Sequence, residues 1–257
     1  MAFDSSILTA AVADPRFPAA LAVAALSGVV RGFSGFGSAL IYMPLTAAIY
    51  EPQIAAVTLL LIDFVASTPF ALREVRNCTW REVLPIFLAA AVAIPFGALV
   101  LKFVDPTALR WFIAFLVLSL LAVLMSGWRY HRRPGLPVTF GVGLFSGFGA
   151  GAVQIAGPAV IIYWLGTNNE AVTVRANLMV YFLLTGALLC VVYALEGLFN
   201  TEGIALSLLL GAPFLIAMAA GAYIFRGASD LLYRRIAYFI IAAAALVSLP
   251  LFDDLLR

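Results

Sequence analysis

The sequence predicts an all-α polytopic membrane protein made of two inverted repeats, and three observations carry that prediction. The chain has 257 residues, 64% of them hydrophobic and only 11% charged, against about 25% charged in a soluble domain. Six apolar stretches each have the length of one bilayer crossing, about 20 residues. A five-residue motif, Phe33-Ser34-Gly35-Phe36-Gly37, recurs as Phe145-Ser146-Gly147-Phe148-Gly149. This composition excludes a disordered chain, a secreted disulfide scaffold and an ordinary soluble enzyme. The net charge of +2 is too small for a nucleic-acid surface, so the expected surroundings are a lipid bilayer and no nucleic acid. Cys78 and Cys190 have neither metal-binding nor redox spacing, and no metal or other cofactor is expected.

Taken in order, the N-terminus carries Asp4, Asp14 and Arg16 and lacks the basic start of a signal peptide. The first long apolar stretch is therefore expected to stay in the mature protein. That stretch, 18–50, would be about 50 Å long as one helix, against a hydrocarbon core of about 30 Å. It is too short for two crossings, so it is either a broken crossing or a re-entrant pair of half-helices. Crossings at 54–72, 82–103 and 107–127 follow. After the connection 128–136 comes a second glycine-interrupted stretch, 137–165, then crossings at 171–195, 203–225 and 232–252. These are helices, because lipid offers no partner to an unpaired backbone. Runs such as Ile86–Ile94 also lack the alternation of barrel strands. Trp80, Trp111, Trp128 and Trp164 lie near segment ends, as interfacial anchors do. Pro44, Pro69, Pro95, Pro158 and Pro213 are expected to kink or shape helices.

The repeat extends beyond the five-residue motif. The motif recurs at an offset of 112, Ala56-Val57-Thr58 matches Ala171-Val172-Thr173 at 115, and Gly97-Ala98 matches Gly221-Ala222 at 124. Matches in one order with slowly growing offsets indicate duplication with small insertions. The expected organisation is a single membrane domain, 1–257, with repeat one at 18–127 and repeat two at 137–252. Each repeat is one glycine-interrupted segment followed by three crossings.

Charge orients the repeats. Arg73, Arg76 and Arg81 mark one connection, Arg129, Arg132 and Arg133 a second, and Arg226, Arg234 and Arg235 a third; Glu196 and Glu202 mark an acidic one. The positive-inside rule places the first three in the cytoplasm and the last outside. These assignments agree if 137–165 returns to the side it entered from, giving six crossings plus two re-entrant hairpins; eight full crossings is the alternative. Lys102 and Arg110 then fall outside, against the rule.

Inverted repeats with broken helices are the usual layout of secondary transporters, with the site near mid-membrane. Gly35, Gly37, Gly147 and Gly149 let the backbone turn and approach a ligand. A half-helix starting there aims unpaired N–H groups and a positive dipole end at an anion. Ser34 or Ser146 would cap it or donate to the ligand, with Phe36 and Phe148 in the same motif; tight helix packing through small residues is the competing reading. Arg31 precedes the first motif, and Arg175 lies near Asn177 after the second. An arginine fork suits a sulfonate, sulfite or carboxylate, although either arginine is equally an ordinary juxtamembrane charge. Gln154 is a further hydrogen-bonding candidate. Asp63, the acid well inside a crossing, either pairs with an arginine or carries a coupling proton. His131, the lone histidine, sits among loop arginines. With no nucleophile–base pair or metal cluster, the chain does not read as an enzyme.

The residues Gly28, Arg31-Gly32-Phe33-Ser34-Gly35-Phe36-Gly37, Pro44 and Ala55-Ala56-Val57-Thr58, with Gly141-Val142-Gly143-Leu144-Phe145-Ser146-Gly147-Phe148-Gly149-Ala150-Gly151 and Pro158, resemble the sulfite exporter (TauE/SafE) family, also described as toluene-sulfonate uptake permeases. The resemblance covers about 18–252; Ser38-Ala39 stand where many members are richer in glycine. It implies a multi-pass protein of the bacterial cytoplasmic (inner) membrane that moves sulfite, sulfoacetate or sulfonate-like anions, with sites at 33–37 and 145–151. The expected function is secondary transport of a small sulfur-containing anion by alternating access, with a proton or sodium ion as coupling partner. An anion-selective channel of the same fold and a non-transporting scaffold subunit are the alternatives. Monomer and homodimer both stay open.

Overall fold

A computed structural model describes residues 5–34, 37–126, 135–167, 169–224 and 230–252. The described residues are helical, with no strand among them. In chain order the helices are α1 (Ser5–Ala13), α2 (Phe17–Ser34), α3 (Ser38–Ile49), α4 (Pro52–Glu74), α5 (Trp80–Phe103), α6 (Pro106–Met125), α7 (Leu136–Val153), α8 (Gly157–Leu165), α9 (Ala171–Leu195), α10 (Thr201–Ile224) and α11 (Asp230–Val247). A 3₁₀ turn, Pro250–Phe252, follows α11. Helices α4, α5, α6, α7, α9 and α10 are long and apolar enough to cross a membrane. Their outward faces carry large apolar side chains such as Phe96, Phe115, Leu195 and Ile216, as lipid-facing surfaces do. The protein is therefore a multi-pass, all-helical membrane protein. The arginine-rich connection around Trp128 and His131 lies outside the described residues.

Two compact units form, and neither coincides with a half of the chain. Unit one holds 1–62, 104–122 and 199–257; unit two holds 63–103 and 123–198. Helix α4 begins in the first and ends in the second.

In unit two, α7 packs along α5. A Cβ at Gly143 would meet Ile86 and Ala89, one at Gly147 would meet Ala90, and one at Gly151 would meet Ile94 and Ala98. Both sets of numbers climb together, so the two helices run parallel. Between apolar helices in lipid, close approach through small residues supplies the association that a hydrophobic effect cannot. Helix α8 then doubles back along α7. Ala156, just before α8, accepts a hydrogen bond from Ser146 at 2.7 Å, and Tyr163 near its end meets Thr139 at 2.9 Å. Segment 137–165 thus enters and leaves unit two at one end. At the far end of α5, Lys102 pairs with Glu196 at 3.1 Å.

Unit one repeats the plan. Gly28 and Gly32 of α2 abut Phe214, Ala217 and Met218 of α10, and Gly221 abuts Val29, again in parallel. Helix α3 returns beside α2, so that Tyr50, just past its end, lies under the Arg16 guanidinium at 4.4 Å. Arg16 also reaches Glu202 at the start of α10, at 3.5 Å. Segment 18–50 therefore doubles back as well.

Three features depart from the sequence reading. Helix α1 precedes the first stretch and meets α2 at 88°, where Asp14 accepts hydrogen bonds from the Arg16 backbone and side chain. Trp164 is no interfacial anchor: it is fully buried against Tyr163 and Tyr181, with its indole N–H donated to Glu82. Pro158 lies in the first turn of α8 and kinks nothing. Pro44, Pro69, Pro95 and Pro213 do lie inside helices.

Candidate functional site: two broken helical hairpins

In unit two the break begins where α7 stops at Val153. Gln154 takes a left-handed conformation, φ +57°, uncommon for a residue with a side chain. Its N–H donates to Ala150, and the next N–H, from Ile155, reaches Gly149 at 3.0 Å. That fold-back brings the Ile155 carbonyl onto Gly149 where a Cβ would sit, so position 149 has room only for glycine. Gly147, two residues earlier, faces α5 instead. In this copy of the motif both glycines therefore serve close packing inside α7, Gly147 against α5 and Gly149 against the returning backbone, and the turn itself falls on Gln154, not on a motif glycine as the sequence suggested.

Tyrosines of α9 hold this break. The Ser146 hydroxyl donates to the Ala156 carbonyl and is bonded to Tyr181 Oη at 2.8 Å. Its proton being committed to Ala156, Tyr181 is the donor to Ser146. The Gln154 amide donates to Tyr193 Oη at 3.2 Å, and Tyr193 donates to the Gly151 carbonyl at 2.8 Å. Ser146 does not cap α8; its hydroxyl is taken up inside the protein. Helix α8 begins at Gly157, and its N-cap residue, Ala156, offers no side-chain cap, so its first N–H groups are unclaimed by any side chain among the described residues.

In unit one α2 ends at Ser34 and α3 begins at Ser38, with Gly37 at φ +93° as an N-cap that makes no side-chain bond. Only glycine enters this left-handed region without a steric cost. Gly35, Phe36 and the Ser34 side chain lie outside the described residues. Arg31 sits half-buried in the last turn of α2, three residues before the break.

The remaining candidates are spread out. Phe148 is half-buried beside the break. Arg175 is exposed on α9. Asn177 is fully buried, and its amide is spent on structure: Oδ1 accepts the Thr79 N–H at 2.7 Å and Nδ2 donates to Glu82 at 3.2 Å. Asp63 is half-buried in α4. Sequence reading missed Glu82, whose Oε2 accepts from Trp164, Asn169 and Asn177. It also missed Tyr181 and Tyr193. A phenol in mid-crossing must find a hydrogen-bond partner, and that was the available signal. Among the described residues no cluster of His, Cys, Asp and Glu is arranged to hold a metal.

Two deviations from the positive-inside rule now have partners. Lys102 pairs with Glu196, and buried Arg110 donates to the Ser248 carbonyl at 3.0 Å near the end of α11.

No curated protein and no solved structure matches the chain. The family model described as sulfite exporter TauE/SafE matches residues 20–248, a span that runs from the first turn of α2 to the end of α11. The chain belongs to the sulfite exporter TauE/SafE family of membrane transporters.

Proposed function

We propose that the protein is a secondary transporter of small sulfur-containing anions, such as sulfite or sulfonates, in the bacterial cytoplasmic membrane. One observation carries the reading: each hairpin turns at a break after which the return helix starts without a side-chain cap. Uncapped N–H groups and the positive dipole end are a receptor for an oxyanion. Arg31, one turn from the first break, supplies a bidentate charge for the same ligand. Alternating access around the two breaks would expose them in turn, with the two repeats, 18–127 and 137–252, inverted in the membrane. Asp63 is the proposed coupling group.

The test is flux. Purified protein in liposomes on a solid-supported membrane would be given sulfite, thiosulfate, sulfoacetate, isethionate and acetate, with and without a pH gradient, alongside a counterflow assay. A saturable response to a sulfur anion is expected. Arg31→Gln should raise the half-saturating concentration about tenfold or more. Counterflow that never appears while current does would make the protein a channel. Asp63→Asn should abolish the response to the pH gradient; unchanged pH dependence would remove Asp63 from coupling.

A further inference from the structure

The two hairpins differ in where positive charge stands. In unit one, Arg31 sits on the hairpin itself, in the last turn of α2. The offset of 112 that relates the two motifs carries Arg31 onto Gly143. That glycine packs against Ile86 and Ala89 and leaves no room for a side chain. Indeed the whole second hairpin, Leu136–Leu165, contains no charged residue. Among the described residues of unit two, Arg73, Arg76, Arg81 and Arg175 belong to the end marked by Glu82, where Asn177 accepts the Thr79 N–H. Lys102 is the cation at the opposite end, where the hairpin turns.

The contacts place Lys102 close to that turn. Gly151, in the last turn of α7, lies against Ile94 and Ala98 of α5. Its carbonyl accepts the Tyr193 hydroxyl of α9 at 2.8 Å, and Gln154 at the turn donates to the same Tyr193 oxygen at 3.2 Å. Lys102 follows Ala98 by one helical turn, about 6 Å, and Glu196 follows Tyr193 by less than one turn. The two charges meet at 3.1 Å between α5 and the end of α9.

This pair suits exchange better than fastening. Its side chains are 35% and 28% exposed, and an ion pair open to water adds little stability. Lys102 is also the single lysine among 15 basic residues. An ammonium is a compact charge with three N–H donors on a flexible stem, whereas a guanidinium fork holds its partner in a fixed geometry. Gln154 has a donor to spare. Tyr193 gives its own proton to Gly151, so the bonded atom of Gln154 is its amide nitrogen, and only one of that nitrogen's two hydrogens is used among the described residues. A cation and an amide N–H together suit an oxyanion. The repeat keeps the cation too: the offset of 124 that carries Gly97-Ala98 onto Gly221-Ala222 carries Lys102 onto Arg226, which lies outside the described residues.

We propose that Lys102 is the docking cation of unit two, exchanging Glu196 for a small oxyanion beside Gln154, at the end of the unit where the second hairpin turns. Glu196 is the rival that occupies Lys102 when no anion is bound. This rests on the anion-transport reading above and adds to it a binding residue and its competitor.

Lys102→Gln and Glu196→Gln break the same ion pair, so a brace and a docking cation give different results. Two quantities would be read on purified protein. In detergent, it is the sulfite concentration giving half of the sulfite-induced rise in unfolding temperature; in proteoliposomes, it is the sulfite concentration giving half-maximal current. We expect Lys102→Gln to raise both about fivefold and Glu196→Gln to lower both about threefold. Without sulfite, the two variants should shift the unfolding temperature alike. Lys102→Arg keeps the charge and should stay within about twofold of the wild type. Shifts in the same direction in the two glutamine variants, or wild-type values in Lys102→Gln, would make the pair a brace and overturn the docking role while leaving anion transport standing. A Lys102→Arg protein that behaves like Lys102→Gln would overturn it as well. No response of the wild type to sulfite, thiosulfate, sulfoacetate or isethionate in either assay would overturn both readings.

Discussion

Ser146 and the motif glycines show how much chemistry one short motif holds. Removing the Ser146 hydroxyl strands the Ala156 carbonyl and the Tyr181 phenol in a buried site. Ser146→Ala should therefore cost about 1–3 kcal/mol of stability, read as a lower unfolding temperature in detergent. Tyr181→Phe should cost less, since Ser146 keeps Ala156. Unchanged stability in Ser146→Ala would mean that the hydroxyl does not brace the break. The glycines give a sharper contrast. A methyl at Gly147 runs into the Ala90 backbone, whereas one at Gly141 meets nothing within 4 Å. Gly147→Ala should lower the yield of folded, monodisperse protein on size exclusion, by the roughly 1–3 kcal/mol that overpacking costs. Gly141→Ala should be neutral or mildly stabilising, as alanine is the better helix former. Equal behaviour of the two would remove the parallel α5–α7 seam as a determinant of the fold.

The elements are tied together by a few polar knots. Glu82, in the first turn of α5, gathers donors from α8, from the segment before α9 and from α9 itself. Asn177 adds a bond back to the Thr79 N–H ahead of α5. Glu82→Ala removes an acceptor from three donors at once and should cost about 2 kcal/mol or more. Because Trp164 is one of those donors, its fluorescence should shift as well. Glu82→Gln keeps one acceptor oxygen and should retain part of the stability. If Glu82→Ala melted like the wild type, this end of unit two would be held by apolar packing alone. None of this was visible in the sequence, where Glu82 is simply the first residue of the crossing 82–103. A carboxylate's partners come from residues about 80–95 positions away, and no local pattern encodes them.

For the whole molecule, the doubling back of both hairpins makes a topological prediction. Residues 104 and 167 should lie on opposite faces of the membrane. Single cysteines placed there, in a protein lacking Cys78 and Cys190, should react with an impermeant maleimide from opposite sides of oriented vesicles. Labelling from the same side would mean that 137–165 crosses fully. The assignment of the arginine-rich faces to the cytoplasm would be read from the same experiment.

Composition and segment length alone determined that this is a multi-pass helical membrane protein, because the bilayer sets how long an apolar helix must be and forbids an unpaired backbone. The Phe-Ser-Gly-Phe-Gly motif marked the break in the first repeat, at Gly37, but in the second it lies inside α7, and the chain turns five residues later at Gln154. What the sequence left open was whether 18–50 and 137–165 cross or return. Length allowed both, and the contacts Thr139–Tyr163 and Arg16–Tyr50 show each segment folded back on itself. Tertiary structure also decided what each motif glycine packs against, and which hydroxyls are spent on the protein. Those outcomes depend on what stands opposite each residue, on helices distant in the chain.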